Sequence, residues 1–164
     1  MTIDDFNALT KGDATELVAS CADVPAWAAD VAEARPFVDA EALHAYADER
    51  AAAWSDEQVS AALADHPRIG EKHEGEGASA EHSQREQAGV DPQDSEVQRR
   101  LAEGNAAYEA RFDRIYLVRA AGRSAEEILA LLEARLTNDP ATELRVTAGQ
   151  LREIAALRLR GLVA

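Results

Sequence analysis

The sequence predicts an all-α fold: a compact single-domain helical bundle of about eight helices spanning residues 1–164. Three observations predict it. Alanine fills 36 of 164 positions, and alanine is the strongest helix former. Aromatics make up only 5% of the chain, whereas a β-sandwich core asks for aromatic and β-branched residues. Helix-start signals also recur, with Ser, Thr or Asp followed three residues later by an acid or amide. A chain of this length can bury a substantial core.

The elements follow in order. Thr2-Ile3-Asp4-Asp5 caps a short first helix that should stop at Lys11-Gly12. Asp13 to Glu16 has capping-box spacing and opens a second. Pro25 suits the first turn of a third, which runs to about Ala34 before Pro36 breaks it. Asp39 caps a longer helix to about Trp54. Ser55 to Gln58 is another capping box, and its helix must end near His66, because Pro67 disfavours helical geometry in the residue before it. Residues 70–82, rich in glycine and glutamate, read as an exposed loop. Ser83 starts a short helix ending at Gly89. Pro92 opens the next, through about Phe112. Ile115–Val118 is the one extended piece expected. Ser124 to Glu127 caps a helix to about Leu136, Asn138-Asp139-Pro140 is a stop and turn, and Thr142 begins the last helix.

Charge excludes some partners. The net charge is −14 and the pI about 4.6. No basic face is visible, so no nucleic-acid partner is expected, and the acidic surface disfavours anionic membranes. No apolar run reaches the roughly 18 residues of a membrane span. Cys21 is the only cysteine, which rules out an intramolecular disulfide and fits a reducing compartment. The N-terminal segment lacks a basic and apolar leader. Together these give a cytoplasmic expectation.

Polar residues on apolar helix faces mark candidate chemistry. With Leu151 as origin, Ile154, Ala155, Leu159 and Leu162 project at about 300°, 40°, 80° and 20° and define a buried arc. Arg158 falls at about 340°, inside it; Arg152, Glu153 and Arg160 fall at its margin or outside. A buried guanidinium needs an anionic partner. That partner is either a ligand or a carboxylate from another helix. Asn105 lies at the edge of the Val97, Leu101, Tyr108, Phe112 stripe, where its first expected duty is to tie down a neighbouring loop backbone.

The most polar island is Asp65–Gly89. Its His66 precedes a proline at a helix end. A neutral imidazole both donates and accepts near pH 7 and suits proton transfer, although a lone histidine there also reads as an ordinary polar helix terminus. Ser83, Glu86 and Gln87 share one helix face. Ser-x-x-Glu is equally a capping box, in which Glu86 serves only the helix end; Gln87 has no such duty. His66, His73 and His82 lie among Glu71, Glu74, Glu76 and Glu81, but the spacings match no compact metal-ligand motif. No metal is expected.

These motifs, taken in order, resemble the OHCU decarboxylase family, the 2-oxo-4-hydroxy-4-carboxy-5-ureidoimidazoline decarboxylases of urate degradation. The similarity is carried by His66-Pro67 and by Ser83–Gly89, which follows the family's Ser-x-x-Glu-Gln-x-x-Ala-Gly except that only one residue, Ala88, separates Gln87 from Gly89. Further along come Asn105, Tyr108, Arg111 and Phe112; the 115–118 segment followed by Gly122-Arg123-Ser124; Arg-Leu-x-Asn at Arg135–Asn138; and Leu157–Leu159. The chain departs at Asp113-Arg114-Ile115-Tyr116, where the family often reads Gly-Phe-x-Phe, and in the short Arg68-Ile69-Gly70 step.

The resemblance implies a homodimer and a decarboxylation that needs no cofactor, yielding S-allantoin and CO2 from a small anionic ureidoimidazoline. It implies His66 and Glu86 as catalytic and Arg158 as anion anchor. It also implies Pro67, Ser83 and Gln87 as substrate contacts, and backbone at Leu117 and Val118 hydrogen-bonding the ligand. In so acidic a chain, Arg158, with Arg68, would have to make the pocket locally positive. Two other readings compete: a non-catalytic acidic helical interaction domain, and a metal-dependent hydrolase built on His66, His73 and His82.

Overall fold

In a computed structural model, residues 1–64, 66–69 and 95–164 are described. They form eight α-helices and no strand. The chain divides into two units: residues 1–62 with 151–164, and residues 63–150.

The first unit opens with α1 (Ile3–Ala8), α2 (Lys11–Ala19), α3 (Pro25–Glu33), α4 (Ala40–Ala51) and α5 (Asp56–Leu63), whose last residue already belongs to the second unit. The expected caps form at Thr2, where Asp5 completes a capping box, and at Asp39, which accepts from the Ala42 N–H. Ser55 and Gln58 exchange side-chain and backbone bonds at 2.8 and 3.1 Å. Pro25 takes the first turn of α3, where its missing N–H costs nothing.

The boundary between α1 and α2 differs. α1 ends at Ala8, and the second helix begins at Lys11, not Asp13, because the Thr10 hydroxyl accepts from the Asp13 N–H. Asp13 is thus the third residue of α2 rather than its cap.

The C-terminal half of the last helix, α8 (Pro140–Leu162), belongs to this unit from Leu151 onward. The expected arc is observed there. Leu151, Ile154, Ala155, Arg158 and Leu159 are buried, while Glu153 and Arg160 are exposed. Its surface arginines pair at once: Arg152 clasps Asp48 at 2.6 and 2.7 Å, and Arg160 reaches Glu41 at 3.1 Å. His44 is buried, with Nε2 2.9 Å from the Val163 carbonyl oxygen and Nδ1 3.3 Å from Arg160 Nη1. Trp27 and Trp54 stack edge to face at 5.2 Å, and Trp27 Nε1 donates to the Ala47 carbonyl.

The second unit holds α6 (Ser95–Phe112), α7 (Ala125–Arg135) and the first part of α8. α8 starts at Pro140 rather than Thr142, because the Asp139 carboxylate accepts from the Thr142 N–H at 2.9 Å and so acts as the cap. Ser124 and Glu127 form the expected capping box of α7. Between α6 and α7 the chain runs through 115–120 without helix or turn, then reverses at Gly122, whose φ of +78° suits a residue lacking Cβ. α6 and α7 pack so closely that a Cβ at Gly104 would run into the buried Leu132 side chain.

Candidate active site

His66 follows the end of α5, its backbone N–H donating to the Leu63 carbonyl at 3.1 Å. His66 and Pro67 are half-buried and Ile69 is buried. The step is held from α6: Asn105 Nδ2 donates to the Ile69 carbonyl at 3.2 Å, which is the loop-tying duty expected of it. Arg68 forms a two-pronged ion pair with Glu109, one arm at 3.2 Å. Its charge is therefore paired with a carboxylate. A cavity of about 290 Å³ opens here, lined by Arg68, Ile69, Leu101, Asn105 and Glu109 among others.

Leu117 and Val118 are buried, and Val118 shares one apolar cluster with Ile69, Leu101, Tyr108, Tyr116 and Leu132. The His66-Pro67 step and the 117–118 backbone are thus seated on the same core.

Beneath that backbone lies a buried polar network. Arg135 Nη1 donates to the Leu117 carbonyl at 2.6 Å and Nε to Glu143 Oε1 at 2.8 Å. Glu143, fully buried, also accepts from the Tyr108 hydroxyl at 2.6 Å and from Asn138 Nδ2 at 3.0 Å. Burial alone would raise the Glu143 pKa. The bonds from Arg135, Tyr108 and Asn138 outweigh it and hold the carboxyl below its ordinary value. Burial pushes the Tyr108 hydroxyl up, and its bond to Glu143 adds to that. The network is a fixed ion pair with every strong acceptor occupied, which suits rigid placement rather than proton exchange.

In the first unit, Arg158 is 4% exposed, and its Nη1 donates to the Cys21 carbonyl at 3.2 Å. The inward orientation read from helical angles is observed.

Ser83, Glu86 and Gln87 lie outside the described residues, as do His73 and His82. Among the described residues no group of three His, Cys, Asp or Glu gathers as metal ligands, and no helix is long and apolar enough to cross a membrane.

Sequence reasoning gave Arg135 no role beyond its place in the Arg135–Asn138 motif, and it did not single out Glu143. A usable signal existed for Glu143. Carried back along the last helix, the same projection puts Glu143 at about 280° and Thr147 at about 320°, within the buried arc.

The described residues define an all-helical architecture in which the 115–120 backbone is gripped from the helices that follow it. Two solved structures share this fold. A crystal structure of an OHCU decarboxylase in the presence of (S)-allantoin aligns with a TM-score of 0.74 at 23% identity, over 88% of this chain and 94% of that one. An (S)-allantoin synthase aligns at 0.73 and 16% identity, covering 100% of this chain and 54% of the other. The chain belongs to the OHCU decarboxylase family, whose model matches residues 7–160. A candidate 2-oxo-4-hydroxy-4-carboxy-5-ureidoimidazoline decarboxylase of Homo sapiens is 32% identical over 168 residues, 99% of this chain and 96% of that protein. The decarboxylase of Amia calva is 30% identical over 141 residues, covering 85% and 81%.

Proposed function

We propose that this protein decarboxylates 2-oxo-4-hydroxy-4-carboxy-5-ureidoimidazoline (OHCU) to S-allantoin and CO2. The observation that carries the reading is family membership along nearly the whole chain, residues 7–160.

The chemistry fits the residues. Breaking the bond to the carboxylate leaves an electron pair at the ring carbon, and the adjacent C=N accepts it. The former C=N nitrogen takes a proton from solvent as it accepts that pair; the 4-hydroxyl then becomes a carbonyl as it loses its proton, and C5 gains one. The substrate is its own electron sink, so the protein's tasks are to hold an anion, handle the hydroxyl proton and direct protonation to one face.

His66 is proposed as the proton-transfer group at the 4-hydroxyl, with Glu86 orienting it. A half-buried imidazole at a chain step anchored by Asn105 supports this. Arg158 is proposed as the anchor of the substrate anion, supported by its burial on an otherwise apolar arc. Pro67, Ser83 and Gln87 are proposed to contact ring and ureido groups, and the backbone at Leu117 and Val118 to hydrogen-bond the ligand. The working unit is proposed as a cytoplasmic homodimer, testable by sedimentation.

The decisive experiment follows freshly made OHCU by circular dichroism. Uncatalysed decay yields racemic allantoin, whereas the protein should build an S-allantoin signal. Decay at the uncatalysed rate without dichroism would overturn the proposal.

A further inference from the structure

The 115–120 run has two backbone anchors besides its packing. The Leu117 carbonyl accepts from Arg135 at 2.6 Å. The Arg119 N–H donates to Gln150 Oε1 at 2.9 Å, and the same oxygen accepts from Arg123 Nη1 at 2.9 Å. Both anchors come from one side. Arg135 Nη2 also lies 3.3 Å from the Thr147 hydroxyl, and Thr147 and Gln150 are three apart on α8, hence on one face.

The two bonds orient the two peptide planes that meet at Val118. A trans peptide is planar, with its C=O and N–H antiparallel; the only cis bond among the described residues is Arg35-Pro36. The Leu117 carbonyl faces Arg135, so the Val118 N–H must face away from it. The Arg119 N–H faces Gln150, so the Val118 carbonyl must face away from that side. Among the described residues neither Val118 group has a hydrogen-bond partner. A donor and an acceptor on one residue therefore point together to the side opposite the clamp.

That pair is the complement of a cyclic ureide edge, where a ring N–H lies beside a ring C=O. Resting on the decarboxylase reading above, we infer that Arg135 and Gln150 are positioning residues that fix the peptide planes flanking Val118 and aim its N–H and C=O at the ureide edge of the substrate. Glu143 and Tyr108 act one step behind, by holding Arg135. The clamp separates the two jobs of this stretch of backbone: the Leu117 carbonyl is held by the protein, and the Val118 N–H and C=O face the ligand.

Gln150 gives the cleanest test, because it is only half-buried. Gln150→Leu removes the acceptor, while Gln150→Glu keeps an oxygen in place. Gln150→Leu should raise KM for OHCU and the calorimetric Kd for (S)-allantoin by roughly tenfold, the scale of one lost hydrogen bond, with kcat within about threefold. Gln150→Glu should restore both to within about threefold. In the wild-type protein, saturating (S)-allantoin should shift the Val118 amide resonance and slow its hydrogen exchange, a measurement independent of how the variants fold.

A Gln150→Leu protein with KM and Kd within about twofold of wild type, or a Val118 amide indifferent to (S)-allantoin, would overturn the inference. A wild-type protein whose Val118 amide responds to (S)-allantoin but which forms none from OHCU would overturn the decarboxylase reading and leave the clamp standing. Turnover of OHCU with an unresponsive Val118 amide would do the reverse.

Discussion

Arg135 and Leu117 are joined across 2.6 Å, guanidinium to carbonyl, although they lie 18 residues apart. The contact makes a helix side chain responsible for the course of a non-helical backbone. Glu143 pairs with the same guanidinium from the other side.

Glu143 should therefore be a stability hot spot. Glu143→Ala strands a buried arginine, and breaking one side of such a pair costs about 3–5 kcal/mol. Glu143→Gln keeps an acceptor for Tyr108 and should cost less. Because the carboxyl is held below its ordinary value, it contributes stability above the usual glutamate pKa that is lost as pH falls through the depressed one. Denaturant melts should show this acid limb shrinking in Glu143→Gln. A Glu143→Ala protein as stable as wild type would show that the network carries no load.

His44 should give a second, higher pH limb. Burial, first of all, lowers its pKa, and the nearby Arg160 charge lowers it further, against the Val163 carbonyl and Glu41, which raise it. Only the neutral ring can donate through Nε2 to Val163 and accept at Nδ1 from Arg160. The unfolded chain then takes the proton more readily than the folded one. Stability is complete above the unfolded histidine value of about 6.5 and declines as pH falls through it toward the depressed folded value. The melting temperature of His44→Gln, followed from neutral to mildly acidic pH, should be flatter than wild type over that window. Identical slopes would assign the limb to another group.

Much of the fold was legible because helix starts are local chemistry. Thr2, Asp39, Ser55 and Ser124 were readable as caps, since the residue that accepts the orphan N–H lies within four positions. The starts of α2 and α8 were each misplaced, by two residues, because two cap-type residues compete there: Thr10 with Asp13, and Asp139 with Thr142. Propensity does not rank such neighbours; packing does. Arg158 was legible because a charge on an apolar arc breaks a periodic pattern. Glu143 was not singled out, because an acid in the first turn of a helix reads as complementing the helix dipole in solvent. Its partners are up to 35 residues away in sequence, and no local pattern announces them. The Ser83, Glu86 and Gln87 face lies outside the described residues, so its test has to be functional.

His66 and Glu86 supply that test together. His66→Ala should lower turnover by roughly 10²–10⁴-fold, the usual effect of losing a positioned acid–base group, with little change in melting temperature. Glu86→Gln separates catalysis from capping. A glutamine still reaches back to a helix-start N–H, so a pure cap would keep full activity. An orienting carboxylate would not be replaced, and turnover should collapse at nearly unchanged stability. A Glu86→Gln enzyme with wild-type turnover would return Glu86 to the helix end.

Arg158 separates a ligand anchor from a structural ion pair in a single protein. It is buried, and its Nη1 donates to the Cys21 carbonyl at 3.2 Å. Arg158→Lys keeps the charge but loses the planar fork that meets a carboxylate with two parallel bonds, so substrate affinity should fall although the change looks conservative. Arg158→Met keeps the length and apolar packing while removing a buried charge, and such replacements are often neutral or stabilising. The cost set against this includes the bond to Cys21, on the order of 1.5–3 kcal/mol for a charged donor. If Arg158 instead completes a buried pair with a carboxylate, the methionine strands that partner and the loss grows to about 3–5 kcal/mol. Melting temperature and OHCU turnover of Arg158→Met decide the matter. A folded protein of near wild-type stability without activity supports the anchor, and a strongly destabilised one sinks it.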